Sequence, residues 1–344
     1  MMPARNADRS FARAMGSPIA RRRFLLSSIA AASAALVTAP SFAQPRKLPD
    51  RPIRLIVPFA AGGGVDVFAR LLAEELRQKN GLTVVVENRP GANGSIGAHQ
   101  TLNAEPDGTT LLFSAGTHVM AQQVMKSAPY DPIADFTSIA RVGEAPMLLV
   151  ASPKIAANTI AELIAEARKG QDKWTFGTSA LGAPGHLAEL DFNRLAGLNL
   201  LINPYRGTAP ALNDVAGGHI QLLIDPVLAL LPLARAKQVK GLAVTTAKRT
   251  ALAPEIPTMA ESGLNGMDHS SWYGVWGPKK LPADLTADLN GAINEAVRTL
   301  DGEGKLTKIG VAAVTETPPQ FEAFARSYRD RNADLLKAAN FQAI

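Results

Sequence analysis

The sequence predicts an α/β protein built on mostly parallel sheets. Two observations carry this. Short apolar runs of strand length alternate with amphipathic stretches of helix length. Several of those runs end in glycine-rich loops that lead straight into helices. The first is Ile53–Phe59, an apolar strand running into Gly62-Gly63-Gly64. A helix follows from about Asp66 to Lys79, with Phe68, Leu72 and Leu76 four residues apart and Gly81 as its stop. Thr83–Val86 is the second strand. A glycine-rich turn over residues 90–97 precedes a short helix, and Thr110–Ser114 is the third strand.

Met147–Ala151 opens the second half as an apolar strand. Thr159 and Glu162 then form a capping box for a helix that ends at Gly170. Strands are expected at Trp174–Thr178, Leu200–Asn203, Ile220–Asp225 and Gly241–Thr245. Helices over His186–Leu195 and Pro210–Ala216 lie between them. Tyr273–Gly277 is a further strand. Leu285, Leu289, Ile293 and Val297 share one face of the next helix, and a last helix runs from about Pro319 to Ala338. No Pro/Ser linker divides the body. Two domains joined by crossing strands at Met147–Ala151 and Tyr273–Gly277 are therefore expected, with the first domain completed by the C-terminal helices.

The chain has 344 residues, 47% apolar and 19% charged, enough for two globular domains. It contains no cysteine, which excludes disulfides, thiolate metal sites and cysteine nucleophiles. The net charge of +6 suggests nucleic acid at first. Six arginines stand against one aspartate in residues 1–43, however, and the remaining body carries 30 basic against 29 acidic residues. A body this close to neutral lacks the basic surface that phosphate binding needs.

Residues 1–43 read as an export signal. A basic region with Arg21, Arg22 and Arg23 precedes an apolar stretch, Phe24–Val37, and small residues at Ser41 and Ala43 place cleavage before Gln44. The arginine run resembles a twin-arginine signal. The competing reading is a membrane anchor, for which the apolar stretch is short of ~20 residues. The mature protein is expected in the periplasm, free of the membrane.

Enzyme signatures are scarce. The sequence has no P-loop, no H-E-x-x-H and no G-x-S-x-G, and His99, His118, His186, His219 and His269 lack metal-ligand spacing. No cofactor or metal is expected. The glycine loop from Pro58 to Asp66 stands out instead. Its backbone N–H groups, with the helix start near Asp66, suit an anion; a tight turn without ligand is the alternative. The spacing does not match G-x-G-x-x-G. A second loop, Gly177–His186, adds the hydroxyls of Thr178 and Ser179. Arg206, beside Tyr205, Gly207 and Thr208, can pair either a ligand carboxylate or a neighbouring acidic residue. Asp225 can cap a loop or accept from a ligand amine.

A set of ordered motifs now gives a resemblance. Arg51-Pro52-Ile53-Arg54-Leu55-Ile56-Val57-Pro58-Phe59 with the glycine loop, Glu87-Asn88-Arg89-Pro90-Gly91-Ala92-Asn93-Gly94, Pro106-Asp107-Gly108 and Tyr130-Asp131-Pro132 begin it. Gly185-His186-Leu187, Pro204-Tyr205-Arg206-Gly207, Leu242-Ala243-Val244-Thr245, Pro257-Thr258 and Trp272-Tyr273-Gly274 complete it. The sequence resembles the tripartite tricarboxylate transporter substrate-binding proteins, the Bug family of periplasmic receptors, over about residues 49–344.

The resemblance implies a two-lobed periplasmic-binding-protein-like fold of type II, with Venus-flytrap architecture. Residues 44–146 and 276–344 would form lobe 1, and residues 147–275 lobe 2. It also implies a monomeric solute receptor, not an enzyme, that binds a small carboxylate between the lobes and delivers it to membrane transporter subunits. The ligand-binding candidates are Phe59, Ala61, Gly62, Gly63, Asp66, Ser114, Thr117, Thr178, Ser179, Gly182, Tyr205, Arg206, Gly207, Thr208 and Asp225, with Pro226 nearby. The chain departs from the family's Ser-x-Gly-x-Gly-Ser pattern, having Ala180 and Ala183 in place of a glycine and a serine. A more apolar wall points to an acid less polar than citrate, such as an aromatic or branched monocarboxylate. Beside transport stand two other readings: a receptor for a two-component sensor kinase, and a periplasmic hydrolase.

Overall fold

The computed structural model describes residues 48–344, and the export-signal reading lies outside the described residues. The first strand, β1 (Ile53–Val57), alternates its side chains between two cores. Leu55 and Val57 enter one apolar cluster and Ile56 another. The helix α1 (Gly64–Asn80) follows, burying Phe68, Leu72 and Leu76 and ending at Gly81 in the left-handed conformation. Next come β2 (Val84–Asn88), α2 (Ser95–Leu102), β3 (Thr110–Ala115) and the short α3 (Ala121–Val124). β1 pairs in parallel with both β2 and β3.

The longest strand is β4 (Phe136–Ala151). Residues Phe136–Pro146 pair antiparallel with β9 (Ser270–Pro278), and β9 pairs antiparallel with β3. From Met147 onward β4 leaves β9. Its last five residues pair instead with β7 (Leu222–Pro226) on one side, and the last four also with β8 (Lys240–Val244) on the other. One strand thus runs through both sheets.

The second sheet repeats the logic of the first. β5 (Thr175–Thr178) lies parallel to β6 (Leu201–Pro204) and to β7. The helices α4 (Ile160–Ala167), α5 (Pro184–Ala196), α6 (Thr208–Gly217) and α7 (Val227–Arg235) surround it. Thr159 caps α4 as expected, accepting from Glu162 N at 3.2 Å, but the helix stops at Ala167, short of Gly170. The chain then returns to the first sheet through α8 (Ala283–Gly302), α9 (Lys305–Ile309), the two-residue β10 (Ala312–Ala313) on β4, and α10 (Pro318–Ala338).

Two expectations are adjusted by this topology. The parallel ladders are those of the βαβ units, whereas β4 and β9 contribute antiparallel ladders, so each sheet is mixed. The Met147 strand also begins eleven residues early, at Phe136. Its extra segment contains Arg141, Gly143, Glu144 and Pro146 and therefore lacks a continuous apolar run. Apolar clusters cover both faces of each sheet. Among the described residues no helix is long and apolar enough to cross a membrane.

Candidate functional site

The loops that leave β1, β5, β6 and β7 all open onto one pocket. Four helices start there: α1 at Gly64, α5 at Pro184, α6 at Thr208 and α7 at Val227. Their N-cap residues are Gly63, Ala183, Gly207 and Pro226, and none supplies a side-chain cap. The first backbone N–H groups of these helices are consequently left without the usual side-chain acceptors. Gly63, Gly64, Ala183, Pro184, Thr208 and Pro226 line the pocket together with Phe59, Asp66, Thr117, Ser179, Asp225 and Ser271. The cavity left between them is small, about 20 Å³, and partly open to solvent. Among the described residues no Lys, Arg or His lines it.

Two carboxyl groups face this space, and their surroundings differ. Asp66 is fully engaged. Its Oδ2 accepts from Gly62 N at 2.9 Å, its Oδ1 from Asn88 Nδ2 at 2.9 Å, and Arg70 pairs with it at 2.9 Å. Burial pushes its pKa up, and the hydrogen bonds from Arg70, Gly62 and Asn88 more than reverse this, leaving it below the ordinary value. Asp66 therefore shapes the first loop. Asp225 is the opposite case. It is 3% exposed, and burial raises its pKa to about 7, against the partial relief given by the Thr208 and Ser179 hydroxyls. Its Oδ2 has no hydrogen-bond partner among the described residues. Behind it lies Glu189, fully buried and held well above the ordinary value by burial, with the nearby charge of Asp225 adding to the rise.

The pocket is bridged on two sides. Asn93, between β2 and α2, clasps the backbone of Leu181, between β5 and α5. Its Nδ2 donates to Leu181 O at 2.9 Å, and its Oδ1 accepts from Leu181 N at 2.7 Å. Asn93 holds a left-handed backbone, φ 56°, which asparagine tolerates. On the other side Ala60 N donates to Arg206 O at 3.1 Å. Gly207 makes that approach possible. It has φ 126°, and a Cβ there would stand 3.0 Å from Ala60 N.

The structure brings seven of the sequence candidates to the pocket wall: Phe59, Gly63, Asp66, Thr117, Ser179, Thr208 and Asp225. Others sit elsewhere. Ala61 and Gly62 are exposed on the outer side of the loop. Ser114 lines a small adjoining cavity with Phe59, Thr117, His118 and Tyr130. Thr178 is buried in the second sheet, and Gly182 N donates to His186 Nδ1 at 3.1 Å behind the wall. Tyr205 is turned away, its hydroxyl donating to Asp214 at 2.7 Å. The Arg206 side chain is exposed and outside the pocket lining, because it is the backbone of this loop that meets Ala60.

Residues outside the candidate set also line the wall, among them Ala183, Pro184, Ala115 and Ser271. The first two are helix-start positions, a signal available at Pro184 from its preference for the first turn. Ser271 lies on β9 and carries no local signal. Among the described residues no cluster of three or more His, Asp or Glu side chains is arranged to hold a metal.

A pocket lined by helix starts and hydroxyls has the donors to hold a small anion. The chain belongs to the tripartite tricarboxylate transporter receptor family, whose pattern it matches over residues 68–341. It is 34% identical to the protein BugT of Bordetella pertussis over 291 residues, 84% of this chain and 89% of the relative. Its fold is similar to the periplasmic binding protein BugD, with a TM-score of 0.82, 34% identity, and coverage of 86% of this chain and all of that one. An R. palustris protein solved with adipate gives a TM-score of 0.83 at 32% identity, covering 86% of this chain and 99% of that one. MatC from Rhodopseudomonas palustris, solved with bound malate, gives 0.79 at 29%, covering 84% and 99%.

Proposed function

We infer that the protein is a periplasmic solute receptor that binds a small carboxylate in this pocket and delivers it to the membrane subunits of a tripartite transporter. The observation that carries this is the convergence of four helix starts without side-chain caps on a pocket without cationic side chains. Each helix N-terminus contributes roughly 0.3–1 kcal/mol toward an anion, and more where water is excluded. The Ser271 hydroxyl adds to the donor set.

In this reading the two sheets with their helices act as lobes, residues 44–146 with 276–344 and residues 147–275, joined through β4 and β9. Ligand docks on one lobe and the other closes over it. The clasps at Asn93–Leu181 and Ala60–Arg206 would form on closure. Closure is driven only by the ligand's higher affinity for the closed state. Ala183 on the wall supports an acid less polar than citrate. Export through the N-terminal signal, with cleavage between Ala43 and Gln44, places the receptor opposite its transporter, and it works as a monomer without chemistry on the ligand.

Native mass spectrometry of the purified protein tests this. A small carboxylic acid should be retained, or taken up from a mixture, and released with its mass unchanged. Release of a cleaved product, or no uptake of any carboxylate at millimolar concentration, would overturn the reading.

A further inference from the structure

Asp225 is the one lining carboxyl group left with an unpartnered oxygen. It closes β7, directly before the Pro226 cap of α7, and its Oδ2 finds no donor among the described residues. The Thr208 and Ser179 hydroxyls ease its burial without giving Oδ2 a partner, and the buried Tyr273 hydroxyl nearby is itself unpartnered. Glu189 on α5 is itself a carboxyl, with Oε1 accepting from Ile224 N at 3.2 Å and Oε2 unpartnered. Asp66 across the pocket is already paired with Arg70. The Ser271 hydroxyl can turn its proton toward a ligand carboxylate, while Ser179 and Thr208 ease the burial of Asp225. A plain carboxylate entering this space would use the helix starts and leave Oδ2 of Asp225 without a partner. Such an acceptor is costly, and buried polar groups in proteins are almost always satisfied. A ligand that carries a donor beside its carboxylate resolves both ends at once.

We propose that Asp225 Oδ2 accepts a hydrogen bond from a hydroxyl or amino group of the bound acid, so that the receptor selects hydroxy or amino acids over plain carboxylic acids. This deepens the carboxylate-receptor reading and rests on it. Specificity of this kind is strong, because a site built to bond a ligand group rejects the analogue that lacks it.

Isothermal titration of the purified protein with two matched triplets tests the assignment. One is succinate, malate and aspartate; the other is isovalerate, 2-hydroxyisovalerate and valine. In the triplet that binds, a donor-bearing member should bind at least about tenfold more tightly than its plain counterpart. Asp225→Ala should reduce that preference to less than about threefold, with Asp225→Asn as a closer-shaped second variant. Malate favoured over aspartate, or the reverse, tells hydroxyl from amine. Equal affinity for plain and substituted acids in the unaltered protein overturns the role of Asp225 and leaves the receptor reading intact. So does a preference that survives both substitutions. Binding of no acid in either triplet, nor of any carboxylate in the mixture used for mass spectrometry, overturns the receptor reading and this inference with it.

Discussion

The Asn93–Leu181 clasp gives the sharpest test of closure. Asn93→Gly removes two hydrogen bonds, of 2.9 and 2.7 Å, and glycine accepts the φ of 56° without strain. Each neutral bond contributes about 0.5–1.5 kcal/mol net, so the pair amounts to about 1–3 kcal/mol. If the clasp forms only when the pocket shuts, that energy belongs to the closed complex. It should appear as a faster ligand off-rate, by roughly 5- to 150-fold at 1.4 kcal/mol per decade, with the on-rate nearly unchanged. The free protein should melt where the unaltered one does. Stopped-flow binding of the best-binding acid, with melting curves of both free proteins, makes the measurement. An unchanged off-rate would refute the reasoning. So would a loss of stability in the free variant equal to the loss in the complex, since the clasp would then be part of the resting fold.

Other consequences follow from the same geometry. Asp225 is held near pH 7 in the native state and titrates near 3.8 when unfolded, so the native protein keeps a proton that the unfolded chain gives up between about pH 4 and 7. Stability should therefore fall as pH rises through that window, by roughly 4 kcal/mol in all; Asp225→Asn should lose this slope, so the difference between the two proteins, measured by urea unfolding, should carry it. His186, brought down to about 4 by burial, gives the opposite sign: stability should fall as pH drops from about 6.5 toward 4, and His186→Gln should blunt that loss in the same titration. Gly185→Ala would drive its Cβ into the Ile224 carbonyl oxygen, pushing α5 off β7 beside the pocket. A loss of about 2 kcal/mol or more in denaturant midpoint analysis is expected. Ala183→Ser places a hydroxyl on the pocket wall and should raise affinity for citrate relative to isovalerate, read by competition binding.

Much of this architecture is written locally in the sequence. The β1 run and its glycine loop, the helix face of Phe68, Leu72 and Leu76, and the Thr159 cap depend on neighbours a few residues away. What escaped a local reading depends on distant partners. Phe136–Pro146 looks irregular because Arg141 and Glu144 interrupt it, yet β9 supplies the ladder that makes it a strand. The helix α7 contains Pro232 and follows a strand that already ends in proline, so its periodicity is masked. At the site, residue type pointed to Arg206 and Tyr205 as ligand groups. The Tyr205 hydroxyl bonds Asp214 instead and the Arg206 side chain is exposed, and neither lines the pocket. Asn93 meets Leu181 across 88 positions, and Ser271 reaches the wall from β9, a strand whose place between β3 and β4 no spacing rule reports.

The central claim is that this pocket captures a small carboxylate without altering it. A thermal-shift screen of the purified protein against carboxylic acids, amino acids and aromatic acids tests it most directly. Ligand at about 100 times Kd should add about 2.7 kcal/mol, which is roughly 5–11 °C for a protein of this size. A shift of that size confined to one class of acid, with the acid recovered intact, is the predicted result. A flat response across the whole panel, or recovery of a chemically changed acid, would contradict it.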